Sequence, residues 1–222
     1  VEWSQLRLEK SNMLIMKNIM LSGPDGTGKS SIADAVINEL KNKNIVLNHV
    51  WLRFNHYLAK LINLLGRITG KSYYETYIWG KSGYHDYAGV LGFFYVFAVY
   101  MDHVFFNFFL RNNYLKLNQY YLIDRFIIDI IADLIVDTKR PNMVFFLFAP
   151  FLEKELRLAN AFILKCDKEI VVSRRIDILD DKRYDAKISA YKLIASRFNI
   201  TTIDSGKLSI EESVNKILIS IG

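Results

Sequence analysis

The segment from Gly23 to Ser30 constrains this chain more than any other part of its sequence. It has glycine at its first, fourth and sixth positions, followed by Lys29 and Ser30, and so fits the pattern GxxxxGK[ST] in full. Glycine lets the main chain turn so that successive N–H groups point inward and surround a phosphate chain. In such a loop the lysine reaches the terminal phosphates and the serine hydroxyl binds Mg²⁺.

The residues on either side of this loop favour the strand and the helix that the pattern requires. Asn18 to Leu21 predict a short buried strand, and Ser31 to Leu40 carry apolar side chains at helical spacing. A helix that begins after the loop turns the positive end of its dipole toward a bound phosphate. We therefore expect ATP and Mg²⁺ as ligands, held by Gly23, Asp25, Gly26, Thr27, Gly28, Lys29, Ser30 and Ser31.

The composition fits one folded domain that binds an anion. The 222 residues are 51% hydrophobic and 23% charged, which is a globular balance, and the formal net charge is +6. Because the 29 lysines and arginines are spread along the chain, a nucleotide suits this charge and nucleic acid is not indicated. We expect residues 1–222 to form a single domain, with residues 1–15 as an N-terminal extension.

Two further features of the sequence indicate the cellular compartment of the protein. The single cysteine, Cys166, excludes an internal disulfide and suits a reducing compartment. Val1 to Asn12 lack the apolar core of a secretory signal. These observations predict a cytoplasmic protein.

Apolar segments alternate with helical ones along the chain, which is typical of a parallel sheet flanked by helices. The sequence predicts an α/β fold with three layers (α/β/α) and a mostly parallel five-stranded sheet, which with the phosphate loop is of the P-loop NTPase type. The predicted strands are 17–22, 45–52, 120–124, 161–166 and 200–204. The predicted helices are 29–41, 56–68, 88–111, 127–137, 151–159, 168–174, 186–198 and 210–221, while residues 144–149 fit either state.

Residues 88–110 form the most apolar stretch, which Asp102 and His103 interrupt. A membrane span needs about 20 consecutive apolar residues, and Asp102 lies near the middle of this stretch. We therefore predict a core or interface helix and no membrane span. Apolar side chains all round a helix imply burial on more than one face, which predicts a homodimer.

Gly70 to Asp86 form a polar connection that is rich in tyrosine. Connections of this length are often functional, so this segment either covers an acceptor site or is an ordinary surface excursion. In the second case its aromatic rings pack locally.

Asp124 and Arg125 follow the predicted strand Tyr120 to Ile123. Ligands bind at the carboxyl ends of parallel strands, which is also the side of the phosphate loop. There Asp124 can orient Mg²⁺ or its waters, and Arg125 can hold an acceptor phosphate through two hydrogen bonds. The alternative for this pair is an ion pair or a helix cap at the end of a strand.

Residues 173–187 combine cations with several aspartates, and we interpret them as a lid. Cations that arrive when a lid closes, here Arg175 and Arg183, would stabilise a phosphoryl group during its transfer. A solvated charged loop fits the same pattern equally well.

With these motifs in place, the sequence resembles the thymidylate kinase family of nucleoside monophosphate kinases. The family's phosphate loop, GxDGxGK[ST][ST], is matched by residues 23–31, and its Asp-Arg-Tyr is similar to Asp124-Arg125-Phe126. Its strand, helix and arginine-containing lid resemble residues 162–175, followed by Lys182-Arg183-Tyr184-Asp185 and Ile203-Asp204. The resemblance spans most of residues 19–221 and is strongest at the loop.

The resemblance implies a fold of the nucleotide kinase type and transfer of the γ-phosphoryl group of ATP to dTMP or a related nucleoside monophosphate. In this interpretation Lys29, the loop amides and Ser30 hold ATP and Mg²⁺, with Asp124 near the metal. The resemblance also implies an acceptor site formed by Asp25, Arg53 and Arg125, and a lid that brings Arg175 and Arg183. It implies an adenine site near Ser205 and Gly206.

The departures from the family fall on the acceptor side. Met101-Asp102-His103 stands where the family has Ala-Asp-Arg, so we expect His103 to contact the acceptor. Asp129 and Asp133 replace family residues that help to read the pyrimidine base, which leaves the acceptor open. Two alternatives remain: a deoxynucleoside kinase-like enzyme, although Arg53 occupies the place of its catalytic carboxylate, and a nucleotide-binding switch or assembly protein that transfers no phosphoryl group.

Overall fold

A sheet of five parallel strands forms the centre of the computed structural model, which describes residues 17–52, 57–116 and 119–221. The strand order in this sheet is 2-5-1-6-7, and every neighbouring pair is parallel. A separate antiparallel hairpin holds the other two strands. In chain order the strands are β1 (Asn18–Ser22), β2 (Leu47–Trp51), β3 (Ser72–Tyr77), β4 (Gly80–His85), β5 (Tyr120–Asp124), β6 (Ala159–Lys165) and β7 (Thr201–Asp204).

Eight α-helices are named here in chain order. They are α1 (Lys29–Asn42), α2 (Leu58–Ile68), α3 (Val90–Phe105), α4 (Ile127–Thr138), α5 (Pro141–Leu158), α6 (Lys168–Arg174), α7 (Tyr184–Phe198) and α8 (Ile210–Ile221). The helix α3 continues through a π-helical turn, Phe106–Leu110, into a last short turn, Arg111–Tyr114. A 3₁₀ turn, Ile176–Asp180, lies between α6 and α7.

The two faces of the sheet carry separate hydrophobic cores. Alternate side chains of a strand point to opposite faces, and in β1 Ile19 and Leu21 pack with α1 and α8. Met20 points the other way, into a larger core formed with α3, α4, α5 and α7. The three-layer α/β/α fold that the sequence predicts is therefore confirmed.

The predicted boundary of one helix was wrong. The sequence predicted a helix over residues 151–159 and left 144–149 open between strand and helix. In the structure α5 is continuous from Pro141 to Leu158, with Pro141 in its first turn. Proline suits that position because the first N–H groups of a helix have no partner within the helix.

The tyrosine-rich connection contains a β-hairpin, which the predicted strands did not include. Ser72 pairs with His85 and Tyr77 with Gly80, so that two residues form the turn. The predicted strands lacked this pair because neither segment has the alternation of apolar and polar side chains that marks a half-buried strand. The hairpin stands outside the central sheet and packs beside α2.

The apolar helix α3 packs with one side against the core and leaves the other exposed. Tyr95, Val96 and Val99 are buried, whereas Phe94 and Phe97 are about half exposed. Among the described residues, the helix from Val90 to Tyr114 is the one that is long and apolar enough to cross a membrane, a test that core helices also pass. The cytoplasmic location and the absence of a span stay predictions.

The carboxylate of Asp102, on α3, forms the N-terminal cap of α2. Its two oxygens accept hydrogen bonds from the main-chain N–H groups of Tyr57, Leu58 and Ala59, at 2.8–3.0 Å. These are N–H groups that the first turn of a helix leaves without a partner, and the positive end of the helix favours the negative charge. Asp102 therefore has a structural role inside the apolar helix.

We expect Asp102→Asn to lower the free energy of unfolding by about 2 kcal/mol, because the amide replaces one capping oxygen by a donor that faces N–H groups. Chemical denaturation measures this change. Asp86→Asn is the matched control, since Asp86 is exposed and pairs only with Lys139 among the described residues; its effect should stay within about 0.5 kcal/mol. Equal effects of the two substitutions would contradict the capping role.

Candidate active site

The phosphate loop connects β1 to α1, and its glycines have conformations and contacts that require glycine. Gly23 has φ +143°, and a Cβ on it would lie 2.4 Å from the carbonyl oxygen of Leu164. Gly26 has φ +82°, and a Cβ there would lie 2.4 Å from a methyl group of Val171. Gly28, with φ +78°, precedes the first residue of α1. The loop therefore lies tightly against β6 and α6, with its end at a helix N-terminus.

Lys29 begins α1 and turns back over the loop. Its Nζ donates hydrogen bonds to the carbonyl oxygens of Gly23 and Pro24, both at 2.7 Å, and lies 3.9 Å from Asp25 Oδ1. Burial and the nearby charge of Arg125 lower the pKa of Lys29 from its ordinary value. The ammonium thus lies within the loop, where it can exchange these carbonyls for phosphate oxygens.

The residues after β7 are joined to the phosphate loop. The Ser205 hydroxyl donates to the main-chain oxygen of Thr27 at 2.7 Å, and Arg174 donates to the oxygen of Ser205 at 3.1 Å. A Cβ on Gly206 would lie 2.9 Å from Cys166 Sγ, so glycine allows the close approach. The structure therefore places Gly206 beside the loop. Ser205, which the resemblance implies lies with Gly206 near the adenine, thus links the end of β7 to the loop.

Arg125 contacts the phosphate loop through an ion pair with Asp25. Arg125 has φ +58°, a left-handed conformation that is uncommon outside glycine. Burial opposes ionisation of Asp25, but the charges of Arg125 and Lys29 together hold its pKa below the ordinary value. The residue after β5 and the third residue of the loop, a hundred positions apart in the chain, are thus in direct contact.

Asp124 and Ser30 fit the demands of Mg²⁺. Asp124 is buried, and its Oδ1 has no hydrogen-bond partner among the residues that the structure describes. Its Oδ2 lies 3.9 Å from His49 Nε2, and Ser30 is exposed at the first turn of α1, as is Ser31. The described residues form no cluster of three or more metal-ligating side chains. This suits Mg²⁺, which proteins bind through one or two side chains together with substrate phosphates.

A cavity of about 530 Å³ lies beside the loop, between β2, the hairpin, α3, α4 and α7. Arg125 lines it at the end nearest the loop. Aromatic and apolar side chains form part of its wall, and polar groups form the rest: Trp51, Leu52, Tyr95, Val99, Phe126, Ile130, Leu134, Asn63, His85, Asp129, Asp133, Asp137, Arg183 and Lys187. The hairpin contributes Gly83 and His85 to this lining, so it borders the cavity.

Three aspartates of α4 face this cavity at intervals of four residues. Asp133 lies 3.0 Å from the Lys187 ammonium and 3.5 Å from Arg183, and Asp137 lies 2.9 Å from Arg183. Burial raises the pKa of Asp137 to about 7 despite Arg183. Burial also opposes ionisation of Asp133, but the charges of Lys187 and Arg183 hold the pKa of that carboxyl below its ordinary value. Arg183 therefore lies in the cavity wall, tied to α4.

Asp129 is the aspartate nearest the loop and is fully surrounded by donors. It accepts hydrogen bonds from the hydroxyl of Ser22 at 2.8 Å, from that of Tyr191 at 2.6 Å and from the Phe126 N–H at 3.2 Å. Burial raises its pKa from the ordinary value, although the charge of the nearby Lys29 opposes this.

The sequence contains a pattern from which the pairing of Asp129, Asp133 and Asp137 could have been predicted. Carboxylates at every fourth position of an otherwise apolar helix are costly to bury unless they are paired.

The segment predicted as a lid contains the end of α6, the 3₁₀ turn and the first turn of α7. Arg175 lies close to the loop, since a Cβ on Gly26 would be 3.9 Å from its Cδ, and it pairs with Asp177 at 3.1 Å. The hairpin also reaches this segment, because Lys182 Nζ lies 2.6 Å from Glu75. Arg175 and Arg183 thus border different parts of the site, the loop and the cavity.

The structure tests one of two further residues predicted to contact the acceptor, His103, and does not describe the other, Arg53. His103 is buried in the core among Phe126, Phe148 and Phe151 and does not line the cavity, which corrects the expectation that it contacts an acceptor. The side of α3 that carries it faces Phe148 and Phe151 of α5. Arg53 lies outside the described residues, and its role stays a prediction.

Burial, with the charge of Arg111 adding to it, lowers the pKa of His103 to about 3. The unfolded chain binds a proton at this ring below about pH 6.5, while the folded chain does not until about pH 3. Stability contributed by the neutral ring is therefore lost as the pH falls through this window, by up to about 1.4 kcal/mol per pH unit. We expect His103→Phe to reduce the loss of unfolding free energy between about pH 6 and about pH 4. Urea unfolding at several pH values measures this loss. An unchanged slope would contradict the assignment.

Comparisons with known proteins bear on the fold that carries this site. Residues 19–72 match the model of the ATPase family associated with various cellular activities (AAA). Among solved structures, a thymidylate kinase from Candida albicans aligns with a TM-score of 0.53 over 92% of this chain and 90% of that chain, at 15% sequence identity. No curated protein matches this chain in sequence. These likenesses show a P-loop NTPase fold like that of a nucleotide kinase.

Proposed function

We propose that this protein is an ATP-dependent phosphotransferase whose acceptor is a nucleotide-like molecule that already carries a phosphate. The position of Arg125 is the observation that carries this proposal. Its side chain contacts Asp25 in the phosphate loop and also lines the 530 Å³ cavity. An acceptor phosphate held by Arg125 would therefore lie next to the triphosphate held by the loop.

The residues of the chain would act by positioning and by electrostatic stabilisation, since phosphoryl transfer leaves little covalent work to the protein. The loop N–H groups and Lys29 would hold the transferring group, and Arg125 would hold the acceptor through two parallel hydrogen bonds. Arg175 would add positive charge from the side of α6. Mg²⁺, bound by Ser30 and near Asp124, would neutralise charge on the phosphates.

The cavity wall supports an acceptor with both a flat apolar part and groups that form hydrogen bonds. Trp51 and Phe126 offer aromatic surface, while Asp133 and Asp137 offer carboxylates. Carboxylates accept hydrogen bonds from hydroxyl or amino groups, which a sugar and many bases carry. The resemblance favours dTMP or a related nucleoside monophosphate. The Candida albicans thymidylate kinase is described as broad in substrate specificity, so a wide set of acceptors needs testing.

A nucleotide-binding protein without phosphotransfer is the second candidate. Arg183, which the resemblance assigns to a lid over the transferring group, is tied to Asp137 at 2.9 Å and lies largely buried. A switch or assembly protein could keep this ion pair whenever the nucleotide binds. An enzyme that uses Arg183 would have to release it.

A phosphotransfer screen separates these candidates. Purified protein is incubated with Mg²⁺ and γ-labelled ATP against each ribo- and deoxynucleoside monophosphate and each nucleoside. We expect a labelled diphosphate from at least one monophosphate. A labelled monophosphate from a nucleoside would favour a deoxynucleoside kinase-like enzyme. ATP binding without transfer to any acceptor would favour the switch.

A further inference from the structure

The β3–β4 hairpin borders both the candidate acceptor cavity and the segment that carries Arg183. Successive side chains of a strand point to opposite faces. Gly83 and His85, on one face of β4, line the cavity. Tyr84, between them, points to the other face, where its hydroxyl donates to the main-chain oxygen of Asp180 at 3.3 Å. The two faces of one hairpin thus contact two different parts of the candidate site.

The strand β3 adds an ion pair on the same face as Tyr84. Glu75 lies 2.6 Å from Lys182 Nζ and accepts a hydrogen bond from the Tyr77 hydroxyl. The hydroxyls of Tyr77 and Tyr84 are 3.2 Å apart, and we call Glu75, Tyr77 and Tyr84 the hairpin cluster. Hydrogen bonds from Lys182 and Tyr77 hold the pKa of the Glu75 carboxyl below its ordinary value. This carboxylate is therefore ionised near neutral pH and attracts the ammonium.

The base of the hairpin is fixed to the body of the protein. The main-chain N–H of Tyr87 donates to the oxygen of Asp137, near the end of α4, at 2.8 Å. The ring of His85 stacks on that of Tyr87, with ring centres 5.1 Å apart. Arg67 of α2 donates to the Tyr74 hydroxyl at 2.8 Å. The hairpin cluster therefore makes its contacts from a support that is tied to two helices.

The link between the 3₁₀ turn and α7 carries Arg183 at its end. Its own hydrogen bonds include that of a tight turn, in which the Asp181 N–H donates to the oxygen of Ile178 at 3.1 Å. Hydrogen bonds of 3₁₀ geometry are poorer than those of an α-helix. The contacts of the hairpin cluster with Asp180 and Lys182 therefore add support directly before Arg183.

We propose that the β3–β4 hairpin is a positioning element for Arg183. The hairpin cluster holds the residues directly before Arg183, whose guanidinium lies 2.9 Å from Asp137 and 3.5 Å from Asp133 in the cavity wall. The contacts on both sides together keep this arginine at the cavity. Glu75 and Tyr84 are thus positioning residues, which act through Arg183.

The hairpin would in this way set the affinity for the acceptor, a consequence that rests on the proposed function. Arg183 lines the cavity in which the acceptor is proposed to bind. A shift of about 1 Å in a group that positions a substrate can cost a factor of about 100 in rate. Loosening the hairpin contacts should therefore weaken acceptor use and leave ATP binding, which the loop between β1 and α1 provides, unchanged.

Hydrogen exchange of the nucleotide-free protein tests this support without reference to activity. Mass spectrometry follows the amides of residues 176–184 in the wild type and in a double variant, Glu75→Gln with Tyr84→Phe. We expect exchange there to become about fivefold faster or more in the variant, because an ion pair and a hydrogen bond are lost. Peptides from β1 and β5 should exchange as in the wild type, which shows that the variant is folded.

Thr76→Ala is the matched control, since Thr76 is exposed and points to the opposite face of β3 from Glu75. It should leave exchange in residues 176–184 unchanged. A charge exchange is a second variant: Glu75→Lys alone should speed exchange, and Lys182→Glu added to it should restore the wild-type rate within a factor of about two. Unchanged exchange in the double variant, the same increase with Thr76→Ala, or a charge exchange that restores nothing would each overturn the proposal.

Kinetics with an acceptor from the screen tests whether the hairpin acts through Arg183. The variant Glu75→Gln with Tyr84→Phe should raise the acceptor KM by about tenfold at unchanged ATP affinity. In an Arg183→Ala background the same substitutions should change this KM by less than about twofold, because their effect passes through Arg183. Effects that multiply would overturn the positioning role. The expected exchange in a protein that transfers no phosphoryl group would leave the support of Arg183 standing and remove the proposed function.

Discussion

Lys29→Ala is expected to lower phosphotransfer from ATP by about 1,000-fold or more. The buried ammonium has no substitute within the loop, because the other cations nearby are tied to carboxylates: Arg125 to Asp25, Arg175 to Asp177 and Arg183 to Asp137. The measurement is the initial rate of ADP formation with the best acceptor from the screen. ATP affinity should fall as well, since the same ammonium reaches the terminal phosphates.

Lys41→Ala is the matched control, because Lys41 is exposed near the other end of the same helix. It should keep the wild-type rate within a factor of about two, as substitutions at exposed sites usually do. A Lys29→Ala protein that folds and keeps full phosphotransfer would show that the loop is not the donor site.

Arg125→Ala is expected to lower kcat/KM for the acceptor by about 100-fold or more, while the affinity for ATP changes by no more than about threefold. The reason is the place of Arg125, which contacts Asp25 in the loop and also lines the cavity. Arg125→Lys should recover only part of the loss, because an ammonium cannot form the two parallel hydrogen bonds of a guanidinium. Steady-state kinetics with each substrate varied in turn measures the two effects.

Arg157→Ala removes an exposed arginine from the last turn of α5 and serves as the control. Its kinetics should match those of the wild type. If Arg125→Ala instead weakened ATP and acceptor equally, Arg125 would support the donor site through Asp25, and the acceptor phosphate would need another partner.

The central sheet and the loop could be predicted from the sequence because their signals are local. Buried parallel strands are short apolar runs, and the glycines, Lys29 and Ser30 have a fixed spacing. The position of Arg125 on the same side as the loop followed from the rule that the carboxyl ends of parallel strands share one edge of the sheet, whereas its ion pair with Asp25 did not. Each of these inferences needed no knowledge of which helices pack together.

The features that could not be predicted from the sequence depend on packing between segments that are distant in the chain. The ring of His103 lies on the side of α3 that faces α5, and helical spacing alone does not tell which neighbour covers a side. Asp102 interrupts an apolar helix because it caps α2, which begins some forty-five residues earlier in the chain. The hairpin is defined by pairing across its turn, while its residues lack an alternating pattern.

Equilibrium dialysis of labelled ATP, with Mg²⁺ present, tests most directly whether the loop between β1 and α1 holds a nucleoside triphosphate. We expect one ATP retained per chain at saturation, and a much weaker uptake by the Lys29→Ala protein at the same concentrations. A folded wild-type protein that retains no ATP, or a Lys29→Ala protein that retains as much as the wild type, would contradict the assignment of this loop as the ATP site.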